Sequence, residues 1–141
     1  MATFSNSKSV IFDLRQCKGG SPDMLNFLMT YLYPEGSKIN LNDFYYRPME
    51  EYSSTYTLDS VPGKRLPEAK VYVLTSIKTF SCGEEFAYDI KNLKRGIIIG
   101  EITGGAAHPV QPMVVNSDLQ VMMPAGRAIN PITKTNWEGV G

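Results

Sequence analysis

The sequence predicts an α/β domain. Three observations carry that expectation: short β-branched runs, an amphipathic helical stripe between two of them, and turn-forming residues at their junctions. The runs are SVIFDL at 9–14, VYVL at 71–74 and III at 97–99. Strand, helix and strand at the later spacing make a βαβ unit, which favours a parallel sheet with helices packed on it. A chain of 141 residues can bury one core and is short for two, so one domain over 1–141 is expected.

The first run is expected as a buried strand ending in the turn-forming QCKGG. Ser21 then offers an N-cap with Pro22 at the first helical position. Leu25, Leu28, Met29 and Leu32 follow at i, i+3, i+4 and i+7, which predicts an amphipathic helix stopped near Pro34. Across 36–68, Tyr45, Tyr46, Tyr52 and Tyr56 are interleaved with polar residues and prolines, so an exposed hairpin or long excursion is expected. The run at 71–74 is a second buried strand. After the turn SIKTF, a helix is expected from about Cys82 to Leu93. Phe86, Ala87, Ile90 and Leu93 form its apolar stripe, and Lys91, Lys94 and Arg95 suit the negative end of its dipole. Ile97 to Ile99 makes the third strand. Val114 to Met123 predicts two short strands around Asn116-Ser117-Asp118, and NPITKTNWEGVG is expected as loop.

Composition narrows the function classes. Fourteen basic residues balance fourteen acidic ones, without the Lys/Arg clustering of a nucleic-acid binder. No apolar run approaches the roughly 20 residues of a membrane span, and the first ten residues lack the apolar centre of a signal peptide. Cys17 and Cys82 are too few for a disulfide framework and have no zinc-spaced companions. No cofactor or metal is called for.

Ser81 stands where the loop after a buried strand enters a helix, beside unpaired helical amides and the positive dipole end. Such a site favours a developing negative charge. The same residues also match S-x-x-E, a capping box of Ser81 and Glu84 with a purely structural purpose. Cys82 could use its own thiol as a nucleophile at this helix start, or serve as a small packing residue. Asp13 and Arg15 are placed to pair at the end of the first strand. Trp137 and the tyrosines of 36–68 suit either a ligand groove or ordinary packing.

Three separated segments, IFDLRQCKGG, TSIKTFSCGEEFAYDIKNLKRGIIIGEITGG and NWEGVG, resemble in order and spacing the core of the tail-specific (C-terminal processing) serine proteases, peptidase family S41. The tricorn-like and interphotoreceptor retinoid-binding-protein-like branches are the most similar. The resemblance covers the chain from about Ser9 to its end. It implies a crotonase-like (ClpP-like) spiral with a mostly parallel sheet and flanking helices, and a core domain belonging to a longer protein. It also implies Ser81 as nucleophile. Asp13, Leu14, Arg15, Gly19 and Gly20 match the family's DLRxNxGG element, with Cys17 where the family commonly has Asn. One oxyanion-hole amide is implied at Gly19-Gly20 and the other at Cys82. Glycines fit that purpose, because their backbone can approach a substrate carbonyl and adopt positive φ.

The resemblance departs from the processing-protease pattern at the general base. Ala106 occupies the position of that branch's lysine, so a Ser–Lys dyad is excluded. The tricorn-like branch uses a histidine from an upstream part of the polypeptide and a supporting glutamate near the C-terminal end, which Glu138 matches. His108, the chain's one histidine, stands two residues beyond the vacant lysine position and is a second candidate base, or a solvent-facing loop residue.

Two functions follow. The first is a serine endopeptidase acting on a peptide or protein, partnered by the remainder of the same polypeptide and weak in isolation. The second is a non-catalytic carrier of a retinoid or fatty acid, as in the retinoid-binding relatives, favoured by the lost lysine and disfavoured by the retained Ser81 and Glu138. A non-catalytic interaction domain ranks third. Relatives act mostly outside the cytoplasm, which makes a periplasmic or extracellular setting the family-based expectation. The oligomeric state stays open, a homo-oligomer included.

Overall fold

Alternation decides the first element of the structure, a computed structural model that describes residues 6–141. The leader reading of the first ten residues falls half on 1–5, outside the described residues. In β1 (Ser9–Asp13) Phe12 turns to the core while Ile11 faces outward. Helix α1 (Pro22–Thr30) begins as expected: the Ser21 hydroxyl accepts from the Asp23 amide at 3.2 Å, with Pro22 at the first turn. The 36–68 excursion is a hairpin of β2 (Asn40–Tyr46) and β3 (Glu51–Tyr56). It is only partly exposed, since Leu41, Asn42 and Phe44 of β2 are buried. Strand β4 (Lys70–Thr75), helix α2 (Cys82–Asn92) and β5 (Ile97–Gly100) form the expected βαβ unit.

The expectation of a mostly parallel sheet is corrected. One sheet, β1-β4-β5, is parallel, with Val10 opposite Val71 and Val73 opposite Ile98. A second, β3-β2-β8, is antiparallel and recruits β8 (Gly126–Ile129), a stretch for which the sequence predicts no element. The third is an antiparallel hairpin of β6 (Val110–Val114) and β7 (Gln120–Pro124) around the Asn116-Ser117-Asp118 turn. The physical reason is connection length: strands joined by short turns must pair antiparallel, and only crossover-joined strands can run parallel.

Both helices cover one face of the parallel sheet. Leu25 and Met29 of α1, Val71 and Val73 of β4, Phe86, Ala87 and Ile90 of α2, and Leu41 of β2 share one core cluster. Met29 and Ile90 are fully buried, so truncating either to alanine costs about 2–5 kcal/mol. The opposite face leaves Ile11, Ile97 and Ile99 exposed.

Arg95 does more than complement a helix dipole. Its guanidinium donates to the carbonyls of Leu32, Leu66, Pro67 and Ala69 at 2.7–3.0 Å. That fork ties the end of α2 to the chain entering β4.

Candidate active site

Three loops meet at the head of α2. The loop after β1 is tied to the loop after β4: the Thr79 hydroxyl donates to the Leu14 carbonyl at 2.9 Å, and the Phe80 amide donates to the Cys17 carbonyl at 3.0 Å. The third loop, 104–108, joins through the Gly104 amide, which donates to the Thr79 carbonyl at 3.0 Å.

Ser81 sits at this junction with φ 53° and ψ −123°. A non-glycine residue held there costs roughly 1–3 kcal/mol and persists only where its surroundings over-determine it. The capping-box arrangement of Ser81 and Glu84 is present. Its main link runs through the glutamate, whose Oε2 accepts from the Ser81 amide at 2.7 Å. The Glu84 amide donates to the Ser81 carbonyl at 2.8 Å. A strained strand-to-helix turn of this kind is the geometry of nucleophile elbows.

The diglycine bend packs against this residue. Gly19 has φ +110°, and a Cβ built there would lie 3.0 Å from the Ser81 Cβ and 3.3 Å from its Oγ. Among the described residues, the amides of Gly19, Gly20 and Cys82 donate to no protein acceptor. Gly20, Ser81, Cys82, Ala106 and His108 line one cavity of about 190 Å³, walled also by Phe44, Tyr46 and Trp137. Of the five tyrosine and tryptophan candidates, Tyr46 and Trp137 reach this cavity. A larger concavity of about 870 Å³ along the 60–70 loop contains none of the candidate site residues.

Glu84 has a wider set of partners than its capping pattern discloses. Buried at 2% exposure, its carboxylate accepts from the amides of Ser81, Gly105 and Ala106, the last two at 2.5 and 2.9 Å. It joins the Ser81 turn to the loop bearing His108. The S-x-x-E pattern disclosed the cap, but a partner 21 residues onward carries no local signal.

Glu138 holds the same loop from the C-terminal side. Its Oε2 accepts from the Ala107 amide at 2.6 Å and the His108 amide at 3.3 Å, and lies 3.8 Å from His108 Nδ1. The last distance is beyond a hydrogen bond. The Trp137 indole donates to the Ala106 carbonyl at 3.0 Å, and the Gly139 amide to the Gly105 carbonyl at 2.8 Å. Ala106, which also lines the cavity, has no side chain that could take a proton.

Burial, with the Glu85 carboxylate adding to it, pushes the Cys82 thiol up to about 12, which disfavours the thiolate that a cysteine nucleophile needs. Asp13 and Arg15 form the expected pair, with two hydrogen bonds at 2.7 and 2.9 Å. Those bonds from Arg15 hold the Asp13 carboxyl down at about 2.

Comparison with known proteins extends the geometry. The model of a family described as Peptidase family S41 matches residues 1–141. The photosystem II D1 C-terminal processing protease superposes with a TM-score of 0.70 at 18% identity, over 95% of this chain and 33% of that one. Mature CPAF gives 0.77 at 16% identity, over 99% and 39%. A lipoprotein from Streptococcus agalactiae gives 0.69 at 15% identity, over 94% and 47%. The chain therefore spans less than half the length of these solved structures, and at such identities the likeness is one of fold.

Proposed function

The chain belongs to peptidase family S41, and from that premise we propose that it is the core of a serine endopeptidase with Ser81 as its nucleophile. The observation that carries this reading is the strained turn at Ser81, at φ 53°, beside the amides of Cys82, Gly19 and Gly20, which donate to no protein acceptor among the described residues. In the proposed reaction the Ser81 oxygen attacks the carbonyl carbon of a peptide while its proton passes to His108. The amides of Cys82 and Gly19-Gly20 receive the negative charge of the tetrahedral intermediate, a type of interaction worth about 3–4 kcal/mol per donor. Collapse breaks the C–N bond, and the leaving amine takes the proton from His108. Water then hydrolyses the acyl-serine by the same path in reverse.

His108 is supported as the base because it lines the cavity with Ser81 and its Nδ1 side faces Glu138, although its ring makes no hydrogen bond to the Ser81 hydroxyl without substrate. Glu138 keeps a supporting role, holding the loop and orienting the ring once the 3.8 Å gap tightens with substrate bound. The crotonase-like spiral belongs to the same proposal, with α1 and α2 as flanking helices. The cavity beside Ser81 falls below the roughly 300–1,000 Å³ of small-molecule pockets and suits a peptide side chain, whereas a carried lipid would need the separate concavity of about 870 Å³ along 60–70, away from Ser81.

Hydrolysis of a fluorogenic peptide library by the full-length protein tests the reading. Ser81→Ala is expected to abolish turnover, and His108→Gln to lower kcat by about 10²–10⁴-fold, the usual worth of a general base. Undiminished turnover by Ser81→Ala overturns the proposal. Undiminished turnover by His108→Gln assigns the base to a histidine outside this chain.

A further inference from the structure

The cavity beside Ser81 carries a carboxyl group that the reaction above does not use. Glu85 follows Ser81 by one helical turn on α2 and lines the same space of about 190 Å³. It is 5% exposed, and its Oε1 accepts one hydrogen bond, from Asn42 Nδ2 at 3.1 Å. Asp89 lies a further turn along the helix, fully buried, with Asn130 Nδ2 at 3.4 Å from its Oδ1. Two acceptors of this group, Asn42 Oδ1 and Asp89 Oδ2, are buried without a partner. Among the described residues neither carboxyl has a basic side chain within salt-bridge distance. The other groups around Glu85 are Cys82, on its own helix, and His108, from the 104–108 loop across the cavity.

A buried carboxyl without a counter-charge is costly to ionise, and two such groups one turn apart repel each other. Burial pushes the Glu85 carboxyl up to about 7, and burial with the Glu85 charge raises Asp89 well above the usual carboxylate range. A cation entering the cavity would therefore offset the cost of ionising Glu85. Its walls, Phe44, Tyr46 and Trp137, present aromatic surface that also attracts one.

We propose that this cavity is the specificity pocket of the enzyme, that it receives a lysine or arginine side chain of the substrate, and that Glu85 is its counter-ion. The proposal rests on Ser81 being the nucleophile, since that places the pocket next to the scissile bond. Ionised Glu85 would pair with the incoming cation, releasing its proton, while Asn42 holds the carboxylate in place. Binding should then weaken by up to tenfold for each pH unit below about 7.

The test reads binding and not cleavage, so it is independent of whether Ser81 reacts. Trp137 is the single tryptophan of the chain and lines the cavity, so its fluorescence reports occupancy. Titrations of n-butylammonium, n-butylguanidinium and the neutral analogue n-pentanol are expected to show the two cations binding at least tenfold more tightly at pH 8. Their advantage should fade between pH 7 and pH 5.5. Glu85→Gln, which keeps the shape of the protonated acid, should remove the advantage. Equal binding of the alcohol and the cations, or an unchanged cation affinity in Glu85→Gln, overturns the proposal. Should that variant fail to fold, the pH dependence in the unaltered chain decides: a flat cation affinity overturns it too. Peptide cleavage through Ser81 with no preference for Lys or Arg would overturn the pocket assignment and leave the protease reading standing.

Discussion

A Cβ on Gly19 would stand 3.0 Å from the Cβ of Ser81, closer than side chains pack, so the diglycine bend and the head of α2 are shaped to each other. The contact joins residues 62 positions apart through backbone that only glycine adopts readily, at φ +110°.

Substitution at the two glycines should therefore have unequal effects. Gly19→Ala combines a disfavoured φ with the collision at Ser81, and is expected to lower stability by roughly 1–3 kcal/mol. It should also slow Ser81 acylation at least tenfold. Gly20→Ala meets nothing within 4 Å and lacks the positive φ, so its stability should stay within about 0.5 kcal/mol of the parent. Urea midpoints of the two variants make the comparison.

Glu84→Gln should damage the site from a distance. The carboxylate takes three amide hydrogen bonds, and an amide side chain would turn its NH₂ toward one of those donors. A loss of about 1–3 kcal/mol is expected in chemical unfolding. Acylation of Ser81 should slow as well, since the turn and the His108 loop are no longer held together.

Stability should fall as pH rises through the weakly acidic range, opposite to the usual behaviour of paired carboxylates. The Glu85 carboxyl stands at about 7 in the folded chain against an ordinary 4.5, because burial penalises its charge. Between those values the folded state holds a proton that the unfolded state has lost, so stability is full below pH 4.5 and declines until about pH 7. The decline attributable to Glu85 is on the order of 3 kcal/mol, at about 1.4 kcal/mol per pH unit. Raised Asp89 acts in the same direction. Urea midpoints measured at pH 5 and pH 8 check the sign, and Glu85→Gln should flatten the profile.

What was legible in the sequence was local or ordered along it. The Ser21-Pro22 start of α1, the stripe Phe86, Ala87, Ile90 on α2 and the S-x-x-E cap depend on neighbours within a turn or two, and each formed. The order of the three matched segments points to the Ser81 junction from sequence alone. Pairings at long separation were not legible: β8 is a four-residue strand whose register against β2 is set across more than 80 positions. Burial of charge was equally hidden. Nothing local in the sequence marks Glu85 and Asp89 as interior, and their partners Asn42 and Asn130 come from β2 and from just past β8.

The central claim is that the Ser81 oxygen is the reactive atom of this site. Treating the full-length protein with a fluorophosphonate and mapping the adduct by peptide mass tests it directly. A single adduct is expected on the peptide containing Ser81, absent from Ser81→Ala. Equal labelling of both proteins, or an adduct on another residue, contradicts it.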